Sequence, residues 1–157
     1  MTGRAAPFKV SPTNPNLGEI QTIPERHMDM PYAPAMRIES SGDLLFVSGC
    51  TPSPLYHTHP HDFAEHDHPV SIVEQTRLAM KSLISILEHE RLALTDVVKV
   101  TKYLTDIRDL EDMARTLSEI FGDWKPASTT LCVNQLSTPG ARVELDVIAT
   151  YPKEQEQ

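Results

Sequence analysis

Apolar residues between Ser71 and about Glu90 recur at the helical period, with Ile72, Thr76, Ala79, Met80, Leu83 and Leu87 on one face. Ser71, with Glu74 three residues on, makes a capping box, and Pro69 stands just ahead, so the pattern predicts a helix starting there. The same period returns in Leu110, Met113, Ala114, Leu117, Ile120 and Phe121, closed by Gly122 where a left-handed cap is expected. Between these helices, Val97 to Leu104 carries the composition of a strand. After the second helix the period changes to two. From Lys125 to Asn134 the alternation places Thr129, Leu131 and Val133 on one face, expected to be core. Ser128, Thr130, Cys132 and Asn134 take the other, a small polar row. A turn at Ser137–Gly140 leads to a last strand, in which Val143, Leu145, Val147 and Ala149 oppose Arg142, Glu144, Asp146 and Thr150. Glu144 is then expected to be the carboxylate nearest the polar row.

Ahead of the first helix, Met36–Glu39 and Leu44–Ser48 suggest two strands joined by a hairpin turn at Ser40-Ser41-Gly42-Asp43. Residues 1–29 contain Pro7, Pro12, Pro15 and Pro24 with little periodicity and are expected to form an extended N-terminal arm. Residues 30–151 form the body, 51–69 an insertion rich in proline and histidine, and 152–157 a polar tail. The order strand, strand, helix, strand, helix, strand, strand predicts an α+β layer with two helices on one face of a mixed sheet. The strand pattern leaves apolar and semi-polar residues on the opposite face, so association is expected to cover it.

A chain of 157 residues is the size of one domain, and the 39% apolar and 23% charged composition is ordinary for a folded chain. The formal charge of −8, with no Lys/Arg cluster, argues against nucleic acid as a partner. No apolar run reaches the roughly 18 residues of a membrane span, and the N-terminus lacks the apolar stretch of a signal peptide, so a cytoplasmic chain is expected. The two cysteines, Cys50 and Cys132, are too few for a disulfide framework and are expected to be thiols.

Several stretches, in order and with matching spacing, carry a resemblance. They are Pro31-Tyr32-Ala33-Pro34-Ala35, Leu44 to Gly49, Val97 to Asp106, Pro126-Ala127 opening a strand, and Arg142 to Ala149. Together they resemble the YjgF/RidA family, the reactive-intermediate enamine/imine deaminases, over roughly residues 30 to 151. The resemblance implies a chorismate-mutase-like mixed sheet in a homotrimer with ligand clefts between subunits, a small-molecule substrate and no cofactor. It makes Glu144 the group that positions water or moves the proton in imine hydrolysis. It also places Tyr32 over the ligand, Ser48 and Gly49 at the cleft floor, and Ser128, Thr130 and Cys132 along the cleft. Deaminating members carry arginine directly after Pro-Ala, where its fork clamps a carboxylate. This chain has Ser128 there, and Ala114 where members tend to have asparagine. Arg37, Arg142 and Lys102 are candidates to replace the missing cation. Some members of the family have been called ribonucleases; the acidic charge does not extend that label here.

Each site residue also has a plainer role. Glu144 can be a solvated strand carboxylate, the row Ser128, Thr130, Cys132 an interface of small residues, and Tyr32 a packing anchor. The insertion holds five of the seven histidines. His57, His59 and His61 alternate and, in extended backbone, converge on one divalent transition ion; the competing reading is an exposed polar lid. The expected function is therefore a divergent deaminase, hydrolase or lyase acting in catabolism on a small enamine, imine or aromatic amine. The alternatives are a non-catalytic small-molecule-binding or regulatory trimer, and a metal-dependent enzyme using the histidine loop.

Overall fold

The computed structural model describes residues 5–39 and 42–153. In chain order the strands are β1 (Lys9–Val10), β2 (Leu17–Ile20), β3 (Ala35–Ile38), β4 (Leu44–Cys50), β5 (Val97–Leu104), β6 (Ala127–Cys132) and β7 (Val143–Thr150). The helices are α1 (Ile72–His89) between β4 and β5, and α2 (Leu110–Phe121) between β5 and β6. The Ser71 hydroxyl accepts the Glu74 N–H at 3.4 Å to start α1, and Gly122, at φ +60°, ends α2.

Four strands form the main sheet in the order β4-β7-β5-β6. β7 lies antiparallel between β4 and β5, and β6 is parallel to β5, a pairing that requires the crossover that α2 supplies. Both helices cover one face. There Val100, Leu104, Val143, Leu145 and Val147 meet Ala79, Met80, Leu83, Leu87, Met113 and Leu117, all buried. Burial of each such Val, Leu or Met contributes about 1.5–3 kcal/mol, which is why these strands alternate so cleanly.

The opposite face of the sheet is open. Phe46 is 69% exposed, Leu44 46% and Leu131 42%, beside Thr101, Tyr103, Glu144, Asp146 and Ile148. This corrects the expected assignment of β6: Thr129 and Leu131 lie on the open face, and Ser128 and Thr130 on the helix face. Their partners decide it, because Ser128 pairs with buried Val100, and Leu131 pairs with Tyr103. On an edge strand so poor in large apolar side chains, alternation alone does not say which row is inside.

The hairpin expected between β3 and β4 does not form. β3 pairs instead with β2, with Arg37 opposite Gly18 and Met36 opposite Glu19, in a separate sheet of order β1-β2-β3. Ser40 and Ser41 of the expected turn lie outside the described residues. The segment expected as an extended arm is thus folded from Lys9 onward, and polar contacts hold it. The Thr13 hydroxyl donates to Asp96 at 2.6 Å, Ser11 to the Thr95 carbonyl at 2.8 Å, and buried Glu19 accepts the Lys125 N–H at 2.9 Å. Hydrophobic periodicity carries no trace of such contacts. Among the described residues no helix is long and apolar enough to cross a membrane.

Candidate functional site

The strand register separates the residues expected in one cleft into two groups. Glu144 pairs with Tyr103 and stands on the open face, where its carboxylate lies across the bare backbone of Gly49 on β4. A methyl group on Gly49 would come within 2.7 Å of the Glu144 carboxyl carbon, so glycine is what lets the carboxylate lie there. Burial, and then the like charge of Asp146, raises the Glu144 carboxyl above its ordinary value. Asp146 in turn accepts a 3.0 Å hydrogen bond from the Tyr103 hydroxyl, whose own ionisation is held up by that bond. Ser48 is exposed beside Gly49. A carboxyl of raised basicity over exposed backbone, with a tyrosine–aspartate pair next to it, has the parts of a general acid/base site.

Ser128 and Thr130 face the other way, toward α2. Ser128 lines a cleft of about 470 Å³, open mouth included, walled mainly by Val100, Leu117, Phe121, Trp124 and Pro126. Two lysines line it: Lys125, whose ammonium donates to the His27 and Met30 carbonyls, and Lys102, whose ammonium donates to the Ser128 hydroxyl at 3.2 Å. Burial, followed by the neighbouring charge of Lys99, pulls the Lys102 amine below its ordinary value. Among the three candidates for the missing cation the structure therefore puts Lys102 beside Ser128. Arg37 is on β3, paired with Glu39 at 2.9 Å, and Arg142 lies 3.4 Å from Asp109. Ala114 also lines this cleft. Pro31 stands at its rim with Tyr32, half-buried, next in the chain.

The two cysteines differ in availability. Cys50 is 2% exposed, and burial, with the Glu144 charge second, pushes its thiol up to about 11, far from thiolate chemistry at neutral pH. Cys132 is exposed at the end of β6.

The histidines of the insertion come together. His57, His59 and His61 each bring one ring nitrogen within 4.8 Å of the others. Two residues brace them: His66, one of the loop histidines with a metal-ligand side chain, and Ser53, which sequence reasoning missed. His66 sits 2.8 Å from His61 Nδ1, and Ser53 Oγ lies 2.7 Å from His66 Nδ1 and 3.1 Å from His68 Nε2. His66 is 6% exposed, and burial of a histidine in a polar loop was the signal that alternation could not carry.

The family model described as Endoribonuclease L-PSP matches residues 25–151. The chain belongs to the YjgF/RidA family. Similar members include a RutC family protein of Pyrococcus abyssi, 34% identical over 119 residues that cover 76% of this chain and 85% of that protein. Another is the Schizosaccharomyces pombe protein mmf2, named as mitochondrial, 34% identical and covering 76% and 86% of the two chains. Among solved structures, a Mycobacterium tuberculosis member of the YjgF/YER057c/UK114 family aligns at TM-score 0.57 and 25% identity over 86% of this chain and 99% of that one. The yeast protein YEO7 aligns at TM-score 0.58 and 26% identity, covering 76% and 86%. The YjgF/RidA fold accounts for the two-helix layer and for the stretch from Val143 to Ala149.

Proposed function

We propose that this chain is a divergent YjgF/RidA enzyme that hydrolyses a small imine or enamine, with Glu144 as its acid/base group. The observation that carries this reading is the half-buried Glu144 carboxylate lying across Gly49 on an open sheet face, its proton affinity raised by burial and by Asp146. In the proposed reaction Glu144 takes a proton from water as the water oxygen bonds to the imine carbon, and the C=N electron pair moves to nitrogen. The proton then passes from Glu144 to that nitrogen. Glu144 next carries the hydroxyl proton of the resulting carbinolamine to its nitrogen, and the C–N bond breaks as the carbonyl forms, releasing ammonia; an enamine enters the same route after protonation at carbon. A homotrimer would cover Phe46, Leu44 and Leu131 and turn the open face into a closed cleft, with Ser48 and Gly49 as its floor.

The test is hydrolysis of imines generated in place by an amino-acid oxidase, followed as ammonia released above the spontaneous rate. Wild type is expected to accelerate release and Glu144→Gln to return it to the spontaneous rate. Equal rates for the two proteins sink the reading.

A second reading, a non-catalytic small-molecule-binding trimer, is favoured by one observation: the Lys102 ammonium and Ser128 hydroxyl meet inside a largely apolar cleft. That is how a site recognises the anionic end of a small ligand. Binding of small carboxylates that is lost in Lys102→Met, with Glu144→Gln silent in every turnover assay, would favour it.

A further inference from the structure

The loop between β4 and α1 holds the densest cluster of metal-ligating side chains among the described residues, and neither group of site residues described above uses it. We infer that His57, His59 and His61 form a binding site for a first-row divalent transition ion of the zinc class, with an open coordination position. The three ring nitrogens lie within 4.8 Å of one another. Tetrahedral coordination with metal–nitrogen bonds of about 2.0–2.1 Å sets such nitrogens about 3.3 Å apart, so closure asks only for small ring rotations in an exposed loop.

The bonds around the rings are those a ligand set needs. His57 Nδ1 lies 3.0 Å from the Pro54 carbonyl, which can only accept, so that nitrogen carries the proton and Nε2 keeps its lone pair. His61 Nδ1 is held by His66 at 2.8 Å, and His66 by Ser53, which leaves His61 Nε2 for the metal. The rings crowd at centroid separations of 4.7 Å for His57–His59, 4.6 Å for His59–His61 and 5.2 Å for His57–His61.

The scaffold is built independently of those nitrogens. Glu65 accepts the Thr58 N–H at 2.7 Å and its hydroxyl at 2.9 Å, and Asp62 accepts the Ala64 N–H at 2.9 Å to start the turn Phe63–His66. These contacts fix both flanks of the His57–His61 strip, and Glu65 adds a negative charge close to the cation position. Three neutral imidazoles suit zinc, nickel, copper or iron over calcium or magnesium, and the fourth position is left for water or an anionic ligand.

The experiment is titration of the untagged full-length protein with Zn²⁺ by calorimetry, with Co²⁺ as a spectroscopic probe of the ligand field. One ion per chain is expected, with visible Co²⁺ absorption of tetrahedral intensity. His59→Ala, at an exposed position, should weaken binding at least tenfold and abolish the Co²⁺ spectrum. His66→Gln should keep the stoichiometry and weaken binding by about 10–100-fold, as loss of a bracing partner does. His89→Ala, remote on α1, should bind as wild type and controls for adventitious histidine binding. Absence of stoichiometric binding in wild type, or affinity in His59→Ala within tenfold of it, overturns the site. Neither result depends on the proposed hydrolysis.

Discussion

Replacing Gly49 with alanine separates the position of the Glu144 carboxylate from the stability of the fold. The backbone tolerates the change, because the positive-φ glycines among the described residues are Gly122 and Gly140, not Gly49. The new methyl would collide outright with the Glu144 Oε1 and meet its carboxyl carbon at 2.7 Å and its Cγ at 3.0 Å, so the carboxylate end must swing away. Carbon atoms rest about 3.5–4.0 Å apart, so the carboxyl carbon must retreat by about 1 Å. The retreat costs about 0.5–1.5 kcal/mol of off-rotamer strain. Alanine returns about 0.4–1 kcal/mol by restricting the unfolded chain. The two nearly cancel, so Tm by calorimetry should move by no more than about 4 °C. Catalysis should respond differently, since a misplacement of about 1 Å costs on the order of 100-fold in rate. The expected result is near-native Tm with kcat for imine hydrolysis down about 100-fold, approaching Glu144→Gln. Full activity in Gly49→Ala would refute the requirement for that carboxylate position, and a loss of more than about 3 kcal/mol in stability would refute the local geometry.

With Glu144 as the base, activity falls as pH drops through its raised value, so the acid limb of kcat should lie above the ordinary carboxylate value of 4.5; Asp146→Asn removes the like charge and should move that limb to lower pH. Lys102, depressed below 10.5 by burial, weakens the folded state most where it is charged in both states. Lys102→Met should therefore exceed wild type in Tm at neutral pH, with a margin that narrows toward pH 10.5, and a margin that widens instead would contradict burial as the cause. For the thiols, a disulfide reagent should modify Cys132 in the native protein and reach Cys50, raised to about 11, only after denaturation; native labelling of both would contradict the burial.

The parts of the fold that were legible are those in which one residue decides locally. Ser71 and Gly122 mark helix ends by capping chemistry, and β7 declares its inner face because every second residue from Val143 to Ala149 is apolar and buried. β6 gave no such signal: its row Ser128, Thr130 and Cys132 and its row Thr129 and Leu131 have similar bulk, and pairing with β5 decides between them. The docking of β2 rests on a long-range contact, Glu19 with the Lys125 N–H, 106 positions apart, and no window along the chain contains both. Glu144 and Gly49 are adjacent, whereas Ser128 and Thr130, expected in the same cleft, lie on the other face of the sheet.

That separation bears on how the missing arginine is to be understood. A serine in place of a guanidinium cannot neutralise an anion, yet its hydroxyl receives the ammonium of Lys102, so positive charge persists in the cleft with a different reach. An arginine fork clamps a planar carboxylate from a fixed direction, whereas a single ammonium is a point charge that tolerates many anion geometries. The cleft around it is largely apolar, which favours ligands with a hydrophobic body and one charged end. A buried lysine with depressed basicity also sheds its proton more readily than one in water.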